Sequence, residues 1–130
     1  MALCSYDPVR MVLEYAGANC PLYLVRNGEV LQFAPDKNAI GSFELNGVAF
    51  TDHRIQLRRG DVVYIFSDGY ADQFGGPKGK KFLYRRFREL LVEIHGLPMD
   101  RQKAMLFEAL NRWKGAHEQV DDILVIGMRA

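Results

Sequence analysis

The 130 residues are 48% hydrophobic and 25% charged, which excludes a disordered or fibrous chain and fits one globular domain with its own core. Seventeen basic against sixteen acidic side chains leave a formal charge of +1, so bulk electrostatics gives no ground for binding nucleic acid or a membrane surface. No apolar run approaches the length of a bilayer span and no charged-then-apolar leader is present, so a cytoplasmic domain without membrane contact is expected.

In chain order, the first half reads as strands and turns. Short apolar segments at 2–6 and 11–17 are separated by the turn dipeptide Asp7-Pro8. Segments 21–26 and 29–33 flank Asn27-Gly28, a pair suited to a two-residue hairpin turn in which both central residues need positive φ. A loop with Pro35, Asp36, Asn38 and Gly41 is expected to run to about Phe50, followed by strands at 53–57 and, after Arg59-Gly60, at 62–66. The second half turns helical. Leu83, Phe87, Leu90, Leu91 and Ile94 form one stripe of a helix over 81–94, with Arg85, Arg88 and Glu93 largely off it. Gly96-Leu97-Pro98 breaks that helix, and a second over 99–114 repeats Leu106, Leu110 and Trp113 before Gly115 stops it. A branched apolar run at 123–128 closes the chain. These elements predict an α+β layered domain, two helices packed on an antiparallel or mixed sheet. Trp113 and the helix phenylalanines are expected in the core. Cys4 and Cys20 have no metal-type spacing and read as reduced, buried thiols. His53, His95 and His117 share no ligand spacing and read as surface or helix-end residues.

Two apolar strands carry acidic ends: 62–66 leads into Ser67-Asp68-Gly69, and 123–128 follows Asp121-Asp122. Both are apolar on successive residues, which predicts central strands covered on both faces. Paired antiparallel, they bring Asp68 and Asp121 to one edge of the sheet, with Asp72 and Asp122 nearby. Gathered carboxylates repel one another and need compensation, yet no Lys or Arg lies within 67–76 or 116–127. A hard divalent cation, Mg²⁺ or Mn²⁺, is one compensator. A plain Asp-Gly turn and a solvated strand start are equally compatible with this spacing.

Three segments resemble one family. Residues 13–24, LEYAGANCPLYL, are similar to the "AGHNPP" segment of the bacterial SpoIIE-like, PP2C-type serine/threonine phosphatase domain. Residues 57–72, LRRGDVVYIFSDGYAD, resemble its "L..GD.L...SDG..E" segment, and 118–125, EQVDDILV, its "Q.DD.T.V" ending. The order and separations fit from about Leu13 onward. The resemblance implies a PP2C-like layered β-sandwich with packed helices. It implies that Asp68 and Asp121 are metal ligands, that Asp72 helps a third, weaker ion, and that Gly69 and Asp122 support the turns. It also implies a site with two Mn²⁺ or Mg²⁺ ions and a water that attacks phosphoserine or phosphothreonine without a covalent phosphoenzyme. The implied partners are phosphorylated proteins, anti-sigma-factor antagonists among them, in bacterial signalling and sigma-factor partner switching.

Asn19 stands where many relatives have His, at a position that is not a ligand. The family's N-terminal "GD..GHG" segment has no counterpart, because no Asp-Gly or Gly-Asp pair precedes Gly60-Asp61. The expectation is therefore a partial domain over 1–130, its C-terminal portion, weak or inactive alone and with exposed sheet edges that favour a homodimer. The rival reading is a non-catalytic pseudo-phosphatase or interaction module. The run 75–81, GGPKGKK, fails as a phosphate loop, with Phe74 at the first glycine position and Lys81 at the Ser/Thr position. Its basic side chains, Lys78 and Lys80, with Arg85 and Arg86, are candidates for holding an acidic or phosphorylated substrate.

Overall fold

A computed structural model describes residues 1–38, 40 and 49–130. The expected loop after Phe33 therefore falls partly outside the described residues, Gly41 included. The strands are β1 (Ala2–Asp7), β2 (Val12–Gly17), β3 (Leu22–Arg26), β4 (Glu29–Phe33), β5 (His53–Gln56) and β6 (Val62–Phe66). A short helix α1 (Gly69–Asp72) and two-residue strands β7 (Phe74–Gly75) and β8 (Lys80–Lys81) follow. Helices α2 (Tyr84–Ile94) and α3 (Met99–Lys114) and strand β9 (Val125–Arg129) complete the chain.

A three-stranded sheet, β1-β2-β5, faces a four-stranded sheet, β4-β3-β6-β9, and every pair is antiparallel. Strand periodicity explains why β3 and β6 read as unbroken apolar runs. Leu22, Leu24 and Val63 point into the sandwich against Leu13, Tyr15 and Ile55. Tyr23, Val25, Val62, Tyr64 and Phe66 point the other way, onto Phe87, Leu91 and Ile94 of α2. The result is the expected α+β layering: sheet, sheet, helices. The β3–β4 hairpin turns on Asn27 and Gly28, with φ of 51° and 76°. Helix α3 is fastened from below: the Tyr64 hydroxyl donates to Gln102 Oε1, Gln102 Nε2 donates to the His95 and Leu97 carbonyls, and the Tyr70 hydroxyl donates to the Leu106 carbonyl.

Several expectations need correction. Strand β9 is an edge strand, and Leu124 and Ile126 stay 56% and 49% exposed, because among the described residues nothing pairs beyond it. Cys4 is exposed and Cys20 half-buried, both free, because β1 is the other sheet's edge. The first long helix starts at Tyr84, not at 81: residues 80–81 pair with 74–75 as a hairpin. Leu83 leaves the apolar stripe with φ 75° and ψ 148°, a conformation that favours glycine, and its side chain is half exposed. Phe107 is 66% exposed on α3, while Trp113 sits half-buried at the rim of the core, edge-on to Phe82. Between α3 and β9 lies a largely apolar groove of about 720 Å³. No helix among the described residues is long and apolar enough to cross a membrane.

Candidate functional site

The site is built where β6 ends and β9 begins. Antiparallel register sets Phe66 opposite Val125, so the chain leaving β6 runs beside the chain approaching β9. Ser67 locks the two together. Its hydroxyl donates to the Asp122 carbonyl at 2.7 Å and accepts from the Leu124 N–H at 2.9 Å, while its own N–H donates to the Leu124 carbonyl at 3.0 Å. Gly69 completes the contact: a Cβ there would collide with the Asp122 carbonyl. Gly69 starts α1 without a positive φ, so close approach requires it rather than a sharp turn.

Asp68 occupies the N-cap position of α1, is exposed, and makes no side-chain capping bond. Asp121 is exposed, and its carboxylate accepts the N–H of Asp122 at 2.7 Å. Asp122 takes part through its backbone. Asp72, at the end of α1, is paired with Lys81 of β8 at 2.9 Å. A cation absent from 67–76 is thus delivered to this edge by the β7–β8 hairpin, in which Lys81 pairs as a strand residue instead of opening the helix expected over 81–94. Tyr84 is a further neighbour that sequence reasoning missed. Burial, reinforced by the charges of Asp68 and Asp72, pushes its phenol pKa up. Ser67 was legible only as part of a motif, and nothing in its spacing announced a fastener.

The substrate-side candidates separate. Arg85 pairs with Glu89 one helical turn on, at 3.2 Å, and is highly exposed. Lys78 and Lys80 line a small cavity with Arg86 and Trp113.

Exposed, hard oxygen donors on one edge suit a divalent cation. Among the described residues, however, no group of three or more His, Cys, Asp or Glu side chains converges to hold one. The residues present fit a metal as some of its ligands rather than as a complete site.

The family model described as stage II sporulation protein E (SpoIIE) matches residues 1–130. The chain belongs to the SpoIIE family. This SpoIIE-family chain is similar to the SiaA-PP2C domain of Pseudomonas aeruginosa, with 31% identity and a TM-score of 0.88, over 99% of this chain and 50% of that one. It shares the fold of the phosphatase domain of the cell fate determinant SpoIIE from Bacillus subtilis, with 17% identity, TM-score 0.66, 99% of this chain and 57% of that one. It also shares the fold of part of the chain holding the RsbU and RsbW domains of Rv1364c from Mycobacterium tuberculosis, with 23% identity, TM-score 0.76, 98% of this chain and 35% of that one. The chain thus spans between about a third and somewhat over half of those chains. No curated protein sequence matches it. The PP2C-type phosphatase-domain fold expected from the three motifs is the fold observed.

Proposed function

We propose that this SpoIIE-family chain supplies part of a metal-dependent protein serine/threonine phosphatase, with Asp68 and Asp121 as two of the ligands of a Mn²⁺ or Mg²⁺ centre. The observation that carries the reading is the Ser67 clasp, which holds the segments bearing both carboxylates side by side at one exposed sheet edge. Asp72 would join as a weaker ligand once released from Lys81. The bound ions would supply an activated water and a clamp on the phosphoryl oxygens. The chain's own contribution is to hold the two carboxylate-bearing segments in register at one edge.

The proposed substrates are phosphoserine or phosphothreonine proteins of cytoplasmic bacterial signalling, with anti-sigma-factor antagonists as the class to try first. The chain alone is proposed to be weak or inactive. Its open β9 edge is proposed to pair with a second copy.

Joining the chain to a "GD..GHG"-bearing segment of the family pattern tests the reading. The joined protein should release phosphate from a phosphoserine peptide only with Mn²⁺ or Mg²⁺, and Asp68→Asn or Asp121→Asn should lower that rate by on the order of 100-fold. A joined, folded and inactive protein would favour the non-catalytic interaction module.

A further inference from the structure

The β7–β8 hairpin is seated on the end of α3 with no slack. A Cβ on Gly75 would collide with the Trp113 carbonyl, and one on Gly76 with the indole ring. The Gly76 N–H donates to the Trp113 carbonyl at 2.8 Å, and Trp113 Nε1–H donates to the Gln73 carbonyl at 3.0 Å. The turn closes through two left-handed glycines, Gly76 and Gly79, with φ of 70° and 58°. Lys78 and Lys80 are therefore presented from a rigid support.

Beside them the Arg86 guanidinium stacks on Trp113, 4.6 Å from the ring centroid, with one N–H donated to the Phe82 carbonyl at 3.2 Å. Lys78, Lys80, Arg86, Trp113, Gly75 and Pro77 enclose a cavity of about 320 Å³. Among the described residues no carboxylate lines it, and none of these three cations forms an ion pair. Asp72 and Glu89 are committed elsewhere, to Lys81 and to Arg85. Three like charges around one concavity repel unless an anion joins them. Stacking leaves the remaining guanidinium N–H groups oriented to meet an oxyanion.

Size and placement narrow the ligand. The cavity lies at the lower end of the ligand-pocket range, roughly 300 Å³ upward, which suits one side chain better than a nucleotide. Neighbouring strand residues face opposite sides, so β8 turns Lys81 toward Asp72 while Lys80 lines the cavity. A single hairpin separates the cavity from the carboxylate edge, and a polypeptide is the ligand able to cross it.

We propose that the Lys78, Lys80, Arg86 and Trp113 pocket docks a carboxylate side chain of an acidic polypeptide that presents a second residue to the Asp68 edge. The docking rests on the pocket alone; that the polypeptide presents a second residue to the Asp68 edge rests on the phosphatase reading.

Trp113 is the single tryptophan of the chain, so its fluorescence reports the pocket directly. The protein, in chelator and at low salt, is titrated with a blocked tetraglutamate peptide and, separately, with inorganic phosphate. The peptide should change Trp113 emission saturably. K78Q/K80Q should weaken it at least about tenfold, while K78R/K80R and the remote control K103Q stay within about threefold of the parent. No saturable change with peptide, equal affinity in K78Q/K80Q, or saturation by phosphate with the peptide silent would overturn the proposal. No metal or hydrolysis enters this measurement, so its failure and a failure of the phosphatase reading are separately visible.

Discussion

Asp61 and Asp68 share one short segment and have opposite environments. Asp61 is 3% exposed, accepts Arg26 Nε at 3.0 Å and Nη2 at 2.6 Å, and accepts the Arg58 N–H at 2.7 Å. Burial by itself would raise its pKa. The Arg26 hydrogen bonds, the Arg58 N–H and the neighbouring positive charges outweigh burial and hold the carboxyl below its ordinary value. The unfolded chain therefore binds this proton more readily than the folded one. The resulting stability is complete above the unfolded value of about 3.9 and is lost as pH falls through the folded value. Asp61→Asn is expected to cost about 3 kcal/mol at neutral pH by stranding Arg26, and to flatten the loss of stability below about pH 4. Urea unfolding of both proteins at pH 7 and pH 3 checks this, and parallel acid losses would contradict it. The motif "GD" was legible in the sequence, but the partner was not: Arg26 lies on another strand, 35 residues away.

At the scale of elements, periodicity carried the reading where both faces of a strand meet protein, as in β3 and β6, and failed where the run lies at an edge. Strand β9 also opens on branched apolar residues, Val125 and Ile126, yet its sheet position leaves Ile126 half exposed. Composition records what a strand is able to bury, and topology decides what is buried. The β7–β8 hairpin was illegible for another reason: two-residue strands carry no period, and its shape depends on glycines fitted to Trp113. The unpaired β9 edge is a template for another strand. Sedimentation equilibrium should show reversible, concentration-dependent dimers, weakened at least about tenfold by Ile126→Lys, because a charge on the edge opposes pairing. A monomer at every concentration would contradict edge pairing.

At the scale of the molecule, two sheets and one helical layer bring a β6–β9 junction to the surface, and the site depends on that junction more than on any single residue. The three motifs identified the family, and the strand ends showed that antiparallel pairing, which the structure has, brings Asp68 and Asp121 to one edge. They left unseen the Ser67 clasp, which joins segments 55 and 57 residues apart, and the Lys81–Asp72 pair, which depends on the β7–β8 hairpin. Asp68 and Asp121 are proposed to hold a divalent cation jointly at this edge. Calorimetric titration of Mn²⁺ into the wild-type chain, Asp68→Asn and Asp121→Asn tests it most directly. Weak, saturable binding to the wild type that both substitutions abolish is the expected result. Absent binding to the wild type, or undiminished binding to Asp68→Asn, would contradict it.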